Sequence, residues 1–189
     1  NAAGISSNWA NLFTGVNYTK HGVRENDLEA NKFDAYPLLA ARIKESSGDS
    51  IKMSTISPNA TFLKYFGANT KAQAAQNDED VTTKVINDLK DEKLSFITGH
   101  FTAIDAAGKT AGYDVSKPAY KAAIEKFDGQ VGQIIKALEA RPNYAKENWM
   151  VIITSSQGGE YEIPPAQNDN TIFSNAALNT FTIIYSPKY

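Results

Sequence analysis

The sequence predicts an α/β fold, an open and mostly parallel β-sheet with helices on both faces. Short apolar segments with strand character alternate along the chain with segments whose apolar residues recur every three or four positions. The run 149–154 is continuously apolar and rich in β-branched residues, which is typical of a strand buried on both faces of a parallel sheet. Such sheets bind ligands outside the carboxyl ends of their strands, so the residues that follow the strands are candidates for a site.

The first part of the chain is predicted to be helical in two places. A short helix begins near Ser7 or Ser6, either of which is a suitable N-cap, and ends at Gly15. The segment 33–44 has apolar residues at helical spacing and Pro37 in its first turn, so it predicts an amphipathic helix.

The middle of the chain predicts strands and helices in alternation. A strand over 51–56 is followed by a short helix over 60–66, and 68–80 is predicted to be a loop or a weak helix. A firmer helix follows at 81–89, and 94–101 has the character of a buried strand.

The last part of the chain contains the longest periodic segment. This helix begins near Pro118 and is stopped by Pro142. Strands are predicted at 149–154 and 180–185, separated by a long stretch of low structure from Glu160 to Ala177. Strands that alternate with helices favour right-handed crossovers within one sheet.

Length and composition limit the class of protein. The chain has 189 residues, which suits one domain over 1–189, and a net charge of −2 with no basic stripe, which argues against a nucleic-acid partner. No apolar run approaches the ~20 residues that span a bilayer. There is no cysteine, which excludes disulfides and thiolate zinc ligands and leaves the compartment open.

Three segments carry recognisable motifs. The segment 12–23 contains Thr-Gly and then His-Gly-Val, 105–109 reads Asp-Ala-Ala-Gly-Lys, and 151–159 ends in Thr-Ser-Ser-Gln-Gly-Gly. Together they resemble the alkaline phosphatase superfamily in its type I phosphodiesterase/nucleotide pyrophosphatase branch, whose patterns are approximately T-G-x-x-P-x-x-H-G-V, D-x-x-G-H and T-S-D-H-G-G. The first pattern is nearly intact here, and the other two have lost metal ligands.

The resemblance implies a nucleophilic Thr or Ser at a helix N-terminus about nine residues before Thr14. Ile5 stands at that position and has no nucleophilic atom. A shift in register would make Ser6 or Ser7 the catalytic replacement, whereas the alternative is that Ser7 only caps the helix. A helix N-terminus also favours anions, so Asn8 beside these serines is a candidate ligand-binding residue.

The resemblance assigns the metal-ligand positions to Asp105, Lys109, Ser156 and Gln157. Asp105 matches a ligand that follows a strand, and Lys109 stands where the family has histidine. We expect Lys109 to pair with Asp105 in place of a metal's charge, or to bind an anion. The alternative is that Asp105 caps a turn and Lys109 is only solvated. Ser156 and Gln157 replace Asp-His, and neither is a usual zinc ligand.

Two histidines complete the set of candidate residues. His21 lies in the His-Gly-Val motif, where the resemblance implies a structural role, and His100 is more typical of a packed residue at a strand end than of a catalytic base. We expect Ser7, Asp105 and Ser156 to converge at one edge of the sheet.

We therefore predict a degenerate, non-catalytic phosphodiesterase-like domain without a cofactor. It would bind a phosphate, sulfate or glycan ligand through Asn8, Lys109, Ser156 and Gln157, or support a neighbouring domain. The resemblance implies a bacterial periplasmic or cell-surface protein, whose full-length form has a C-terminal lectin-like domain.

Two alternatives stay open. The first is an active hydrolase of phosphoric or sulfuric esters that uses Ser6 or Ser7, zinc or another divalent metal at Asp105, and a carboxylate such as Glu160 or Glu162. The second is a purely structural scaffold.

Overall fold

The computed structural model describes residues 4–171 and 174–188. The chain divides into two compact units, one that ends at Phe101 and one that begins at Thr102. The prediction of one domain over 1–189 stays a prediction, and each unit is described by itself.

The first unit is built on a parallel sheet with helices around it, as the α/β prediction requires. The strand order is β2-β1-β3, and both neighbours of the central strand β1 run parallel to it. The elements in chain order are α1 (Ile5–Thr14), α2 (Tyr18–His21), α3 (Leu39–Ser47), a 3₁₀ turn (Gly48–Ser50), β1 (Lys52–Ser57), α4 (Ala60–Phe66), β2 (Lys71–Ala74), α5 (Asp78–Asp88) and β3 (Leu94–Gly99).

Strand β2 corrects a prediction. The segment 68–80 was expected to be a loop or a weak helix, and Lys71–Ala74 instead pairs with β1. Alanine and glutamine have little intrinsic strand preference, so the pairing with a central strand decides the conformation. Such a strand leaves no local signal in the sequence.

Two predicted helix starts are also wrong. Helix α3 begins at Leu39 and not at 33, because proline has no N–H to donate and disfavours a helical conformation in the residue before it. The N-cap of α1 is Gly4, with no side-chain cap, and Ser6 and Ser7 lie inside the helix. A Cβ on Gly4 would lie 2.2 Å from the backbone of Glu25, so glycine permits this close approach.

An aromatic cluster forms the core of the first unit. Trp9 meets Phe62 edge-on with ring centroids 5.1 Å apart, and Phe66 lies 5.2 Å from Phe62. All three are nearly or fully buried. The cluster anchors α1 and α4 to each other, and α4 packs against β1.

In its described residues, the second unit contains two α-helices and an antiparallel strand pair. Its elements are α6 (Ala103–Ala111), α7 (Pro118–Glu139), a 3₁₀ turn (Tyr144–Lys146), β4 (Val151–Thr154), two further 3₁₀ turns (Pro165–Gln167 and Ala176–Leu178) and β5 (Thr182–Tyr185). Helix α7 ends before Pro142 as predicted. The stretch 160–177 is irregular apart from short 3₁₀ turns in its described part, also as predicted; residues 172 and 173 lie outside the described residues.

The pairing of β4 corrects the expectation for 149–154. The strand runs antiparallel to β5, with Ile152 opposite Ile184, and these side chains are 57% and 62% exposed. An apolar run favours a strand but specifies neither its direction nor what covers its faces. The prediction that this strand is parallel and buried on both faces is therefore wrong.

Candidate functional site

Asp105 and Lys109 form an ion pair on helix α6. Asp105 lies in the first turn of the helix and Lys109 one turn later, with Nζ 2.6 Å from Oδ2. Residues four apart face each other on a helix, so the local spacing produces the contact. The predicted pairing is confirmed. Asp105 does not end a strand as expected, because β3 stops at Gly99 and the chain turns into α6 before the aspartate.

Tyr113 contributes the second contact to Asp105. Its hydroxyl donates a hydrogen bond to Oδ1 over 2.6 Å, so both carboxylate oxygens have a partner. Burial, the Asp105 carboxylate and nearby Glu160 raise the pKa of Tyr113, which keeps the phenol protonated as a donor. Sequence reasoning missed this role, because Tyr113 lies outside the three motifs and the contact depends on how the chain turns after α6.

The ring of Tyr113 lies against two motif glycines. A Cβ added to Gly108 would come 2.3 Å from the ring, and one added to Gly159 would come 2.5 Å from it. Real side chains do not approach so closely, so both positions must lack a Cβ for the ring to sit there. The segment that follows β4 is thereby placed beside α6.

Ser156 and Gln157 precede Gly159 in this segment, and both are half-buried. Within the described ranges neither side chain makes a hydrogen bond, while the Gly158 amide donates to the Ala177 carbonyl. A hydroxyl and an amide can both donate and accept, which suits a ligand rich in oxygen atoms. We use the name Asp105 site for Asp105, Lys109 and Tyr113 together with the candidate residues Ser156 and Gln157, which shortly precede the contact of Gly159 with the Tyr113 ring.

The candidate nucleophiles belong to the other unit. Ser7 is fully buried, its hydroxyl donates to the Val23 carbonyl over 3.1 Å, and its amide donates to the Glu25 carbonyl over 2.9 Å. Ser6 is 4% exposed, and its amide donates to Oδ1 of Asn26. Asn8 is half-buried, and its backbone amide donates a hydrogen bond to the Gly4 carbonyl.

The backbone amides in the first turn of α1 therefore already donate to acceptors of this chain. The roles of Ser6, Ser7 and Asn8, and the convergence of Ser7 with Asp105 and Ser156, stay predictions.

His21 has the structural role that the motif predicts. The ring is fully buried, Nδ1 accepts from the Val23 amide over 3.1 Å, and Nε2 lies 2.8 Å from Oδ1 of Asn11. Because Nδ1 must accept, the proton is on Nε2 and is donated to Asn11. Burial lowers the pKa of His21, which favours this neutral form.

His100 is a packed residue at a strand end, as predicted. It follows β3, with Nδ1 2.7 Å from the hydroxyl of the buried Ser57. Its ring stacks on Phe62 with centroids 4.2 Å apart and meets Trp9 edge-on at 5.3 Å. The histidine thus extends the aromatic core of the first unit.

The residues at the family's metal positions do not fit a zinc or two-metal centre. Among the described residues no group of three or more His, Cys, Asp and Glu side chains is arranged to hold a metal ion. At the Asp105 site only Asp105 belongs to the usual zinc ligands, and both of its oxygens accept hydrogen bonds from this chain. Whether metal binds stays a prediction.

A comparison with known protein families shows which family this chain belongs to. Residues 50–181 match the family described as type I phosphodiesterase / nucleotide pyrophosphatase. The chain belongs to this family. The match includes the motifs at 105–109 and 151–159 and begins after the one at 12–23, so the resemblance read from the sequence is confirmed at family level. No curated protein matches the chain.

Proposed function

We propose that this type I phosphodiesterase-like chain is a non-catalytic member of its family that binds a small oxyanion or glycan at the Asp105 site without metal. The ion pair of Asp105 with Lys109 carries the proposal, with 2.6 Å between Nζ and Oδ2. An ammonium group at this distance supplies the positive charge that a metal would otherwise provide to the carboxylate.

The chemistry of the chain argues against turnover. Phosphoryl and sulfuryl transfer need stabilisation of the developing charge and an activated nucleophile. Ser7 donates its hydroxyl proton to a backbone carbonyl, and His21 holds its proton toward Asn11. Neither contact activates an oxygen atom for attack.

The side chains of the Asp105 site suit binding. Lys109 is 59% exposed, so its ammonium group can contact a ligand from solvent while it stays beside Asp105. Ser156 and Gln157 offer hydroxyl and amide groups for ligand oxygens. Unlike hydrolysis, binding requires no metal ion or activated nucleophile in addition to these side chains.

Hydrolysis assays test the proposal. We expect the protein to hydrolyse nitrophenyl phosphate, bis-nitrophenyl phosphate and nitrophenyl sulfate no faster than a Ser7→Ala, Asp105→Asn double variant, with or without added zinc. Elemental analysis of protein purified without chelator should show no stoichiometric metal. Zinc-dependent turnover that disappears in the double variant would replace this proposal with the hydrolase alternative.

We expect Asp105→Asn to strengthen binding of inorganic phosphate or sulfate. Asp105 offsets the charge of Lys109, and an asparagine keeps the shape while it leaves the ammonium uncompensated. Since this pair is largely exposed, the gain should be only about two- to fivefold at low salt. Calorimetric titration measures the change, with Lys109→Gln as the variant that should lose binding. Equal affinities for all three proteins would place the anion elsewhere.

Location and neighbouring domains are proposals from the family resemblance alone. We propose a periplasmic or cell-surface protein, with a lectin-like domain after this one in the full-length form. Within 4–171 and 174–188, no helix has both the length and the apolar character that a membrane span requires.

A further inference from the structure

One side chain joins the two parts of the Asp105 site. We propose that Tyr113 is its positioning residue, which fixes the Asp105 carboxylate through its hydroxyl and the 156–159 segment through its ring. The inference rests on the proposed function for its ligand, while the positioning role itself follows from the contacts.

The hydroxyl orients Asp105. It donates to Oδ1 over 2.6 Å, while Lys109 holds Oδ2. A carboxylate held at both oxygens by donors from different directions has one orientation. The position of the Lys109 ammonium, which pairs with it, is then also defined.

The ring positions the segment after β4. Gly159 approaches the side chain at Cδ1, Cγ and Cβ, and Gly108 of α6 approaches the ring at Cδ1, Cε1 and Cζ. Tyr120, near the start of α7, meets the ring edge-on with centroids 5.7 Å apart. The ring is therefore held by α6, α7 and the 156–159 segment together. Ser156 and Gln157 lie three and two residues before Gly159, so this contact sets where their side chains can reach.

Three variants separate the hydroxyl from the ring. Tyr113→Phe removes only the hydroxyl, Tyr113→Leu removes the ring as well, and Tyr120→Phe is the matched control, since the Tyr120 hydroxyl makes no hydrogen bond within the described residues. Inorganic phosphate is the probe, followed through the amide resonances of Ser156, Gln157 and Gly158. Tyr113→Phe leaves Oδ1 of Asp105 without its donor, so the carboxylate competes more strongly with phosphate for the Lys109 ammonium, and binding should weaken by about tenfold at most. Tyr113→Leu should abolish binding, and Tyr120→Phe should bind like the parent.

Two further measurements report positioning without any ligand. The ring-current shift of the Gly159 α protons should persist in Tyr113→Phe and disappear in Tyr113→Leu. Amide hydrogen exchange over 156–160 should accelerate at least about tenfold in Tyr113→Leu, because the segment loses its packing partner.

The outcomes distinguish the two claims. The parent protein could fail to bind phosphate while Tyr113→Leu still loses the ring-current shift of Gly159 and exchanges its 156–160 amides faster. In that case the oxyanion form of the proposed function fails and the positioning role stands. If both Tyr113 variants bind phosphate and exchange like the parent, the positioning role is wrong. An equal loss of binding in Tyr120→Phe would also overturn it.

Discussion

Replacing Arg141 with leucine should lower the free energy of unfolding by about 1.5–3 kcal/mol, because the Glu147 carboxylate, whose side chain is 23% exposed, loses its two charge-assisted hydrogen bonds from the guanidinium. The Arg141 side chain is 2% exposed. Its Nε and Nη2 donate to the two carboxylate oxygens over 2.8 and 2.9 Å, and the guanidinium carbon lies 5.0 Å from the centre of the Trp149 ring. The indole N–H of Trp149 donates to the same carboxylate over 2.7 Å.

Two controls separate burial from charge. In the Arg141→Leu, Glu147→Gln double variant both charges are absent and the Trp149 indole N–H keeps an acceptor at position 147, so the loss should be smaller than in Arg141→Leu alone. Lys121→Gln breaks an exposed pair with Glu125, whose atoms are 3.6 Å apart, and should change stability by less than about 0.5 kcal/mol. Urea unfolding measures all three. A loss below about 1 kcal/mol in Arg141→Leu would contradict the prediction.

Acid supplies a second measure of the same pair. The hydrogen bonds from Arg141 and then Trp149 hold the pKa of Glu147 below its ordinary value of 4.5. The ionised form is thus favoured in the folded protein, and its stabilisation is fully present above the ordinary pKa and disappears as the pH falls through the lowered one. The difference between the parent and Arg141→Leu should therefore shrink as the pH falls below 4.5.

The sequence predicts interactions between residues that are close together in the chain and misses those between distant segments. The Asp105 and Lys109 contact follows from residues four apart on one helix, so the spacing alone indicates it. Strand β2 and the contact of Tyr113 with Gly159 depend on segments far apart in the chain. The secondary-structure preferences of the neighbouring residues do not indicate either of them. The direction of β4 was missed for the same reason.

The motif glycines illustrate the same limit. From the sequence, Gly108 and Gly159 belong to patterns associated with metal ligands, and nothing indicates what lies against them. In the folded chain both glycines make room for one tyrosine ring. Their requirement for glycine is therefore steric in this protein, which leads to a test by substitution.

Gly108→Ala should destabilise the protein by about 1–3 kcal/mol, because the new Cβ would lie 2.3 Å from the Tyr113 ring and force the ring or helix α6 to move. In a Tyr113→Ala background the ring is absent. Alanine is favoured over glycine inside a helix by about 0.8–1 kcal/mol, so the same substitution should then stabilise the protein. The sign of the effect should reverse between the two backgrounds.

Gly129→Ala is the matched control for this reversal. Gly129 lies inside helix α7, and a Cβ there would meet nothing within 4 Å. Alanine should therefore stabilise the protein by a similar amount in both backgrounds, through helix preference alone. Thermal or urea unfolding of the five variants and the parent completes both cycles. If Gly108→Ala is equally destabilising with and without the Tyr113 ring, another contact requires the glycine, and the ring does not occupy the place that the structure gives it.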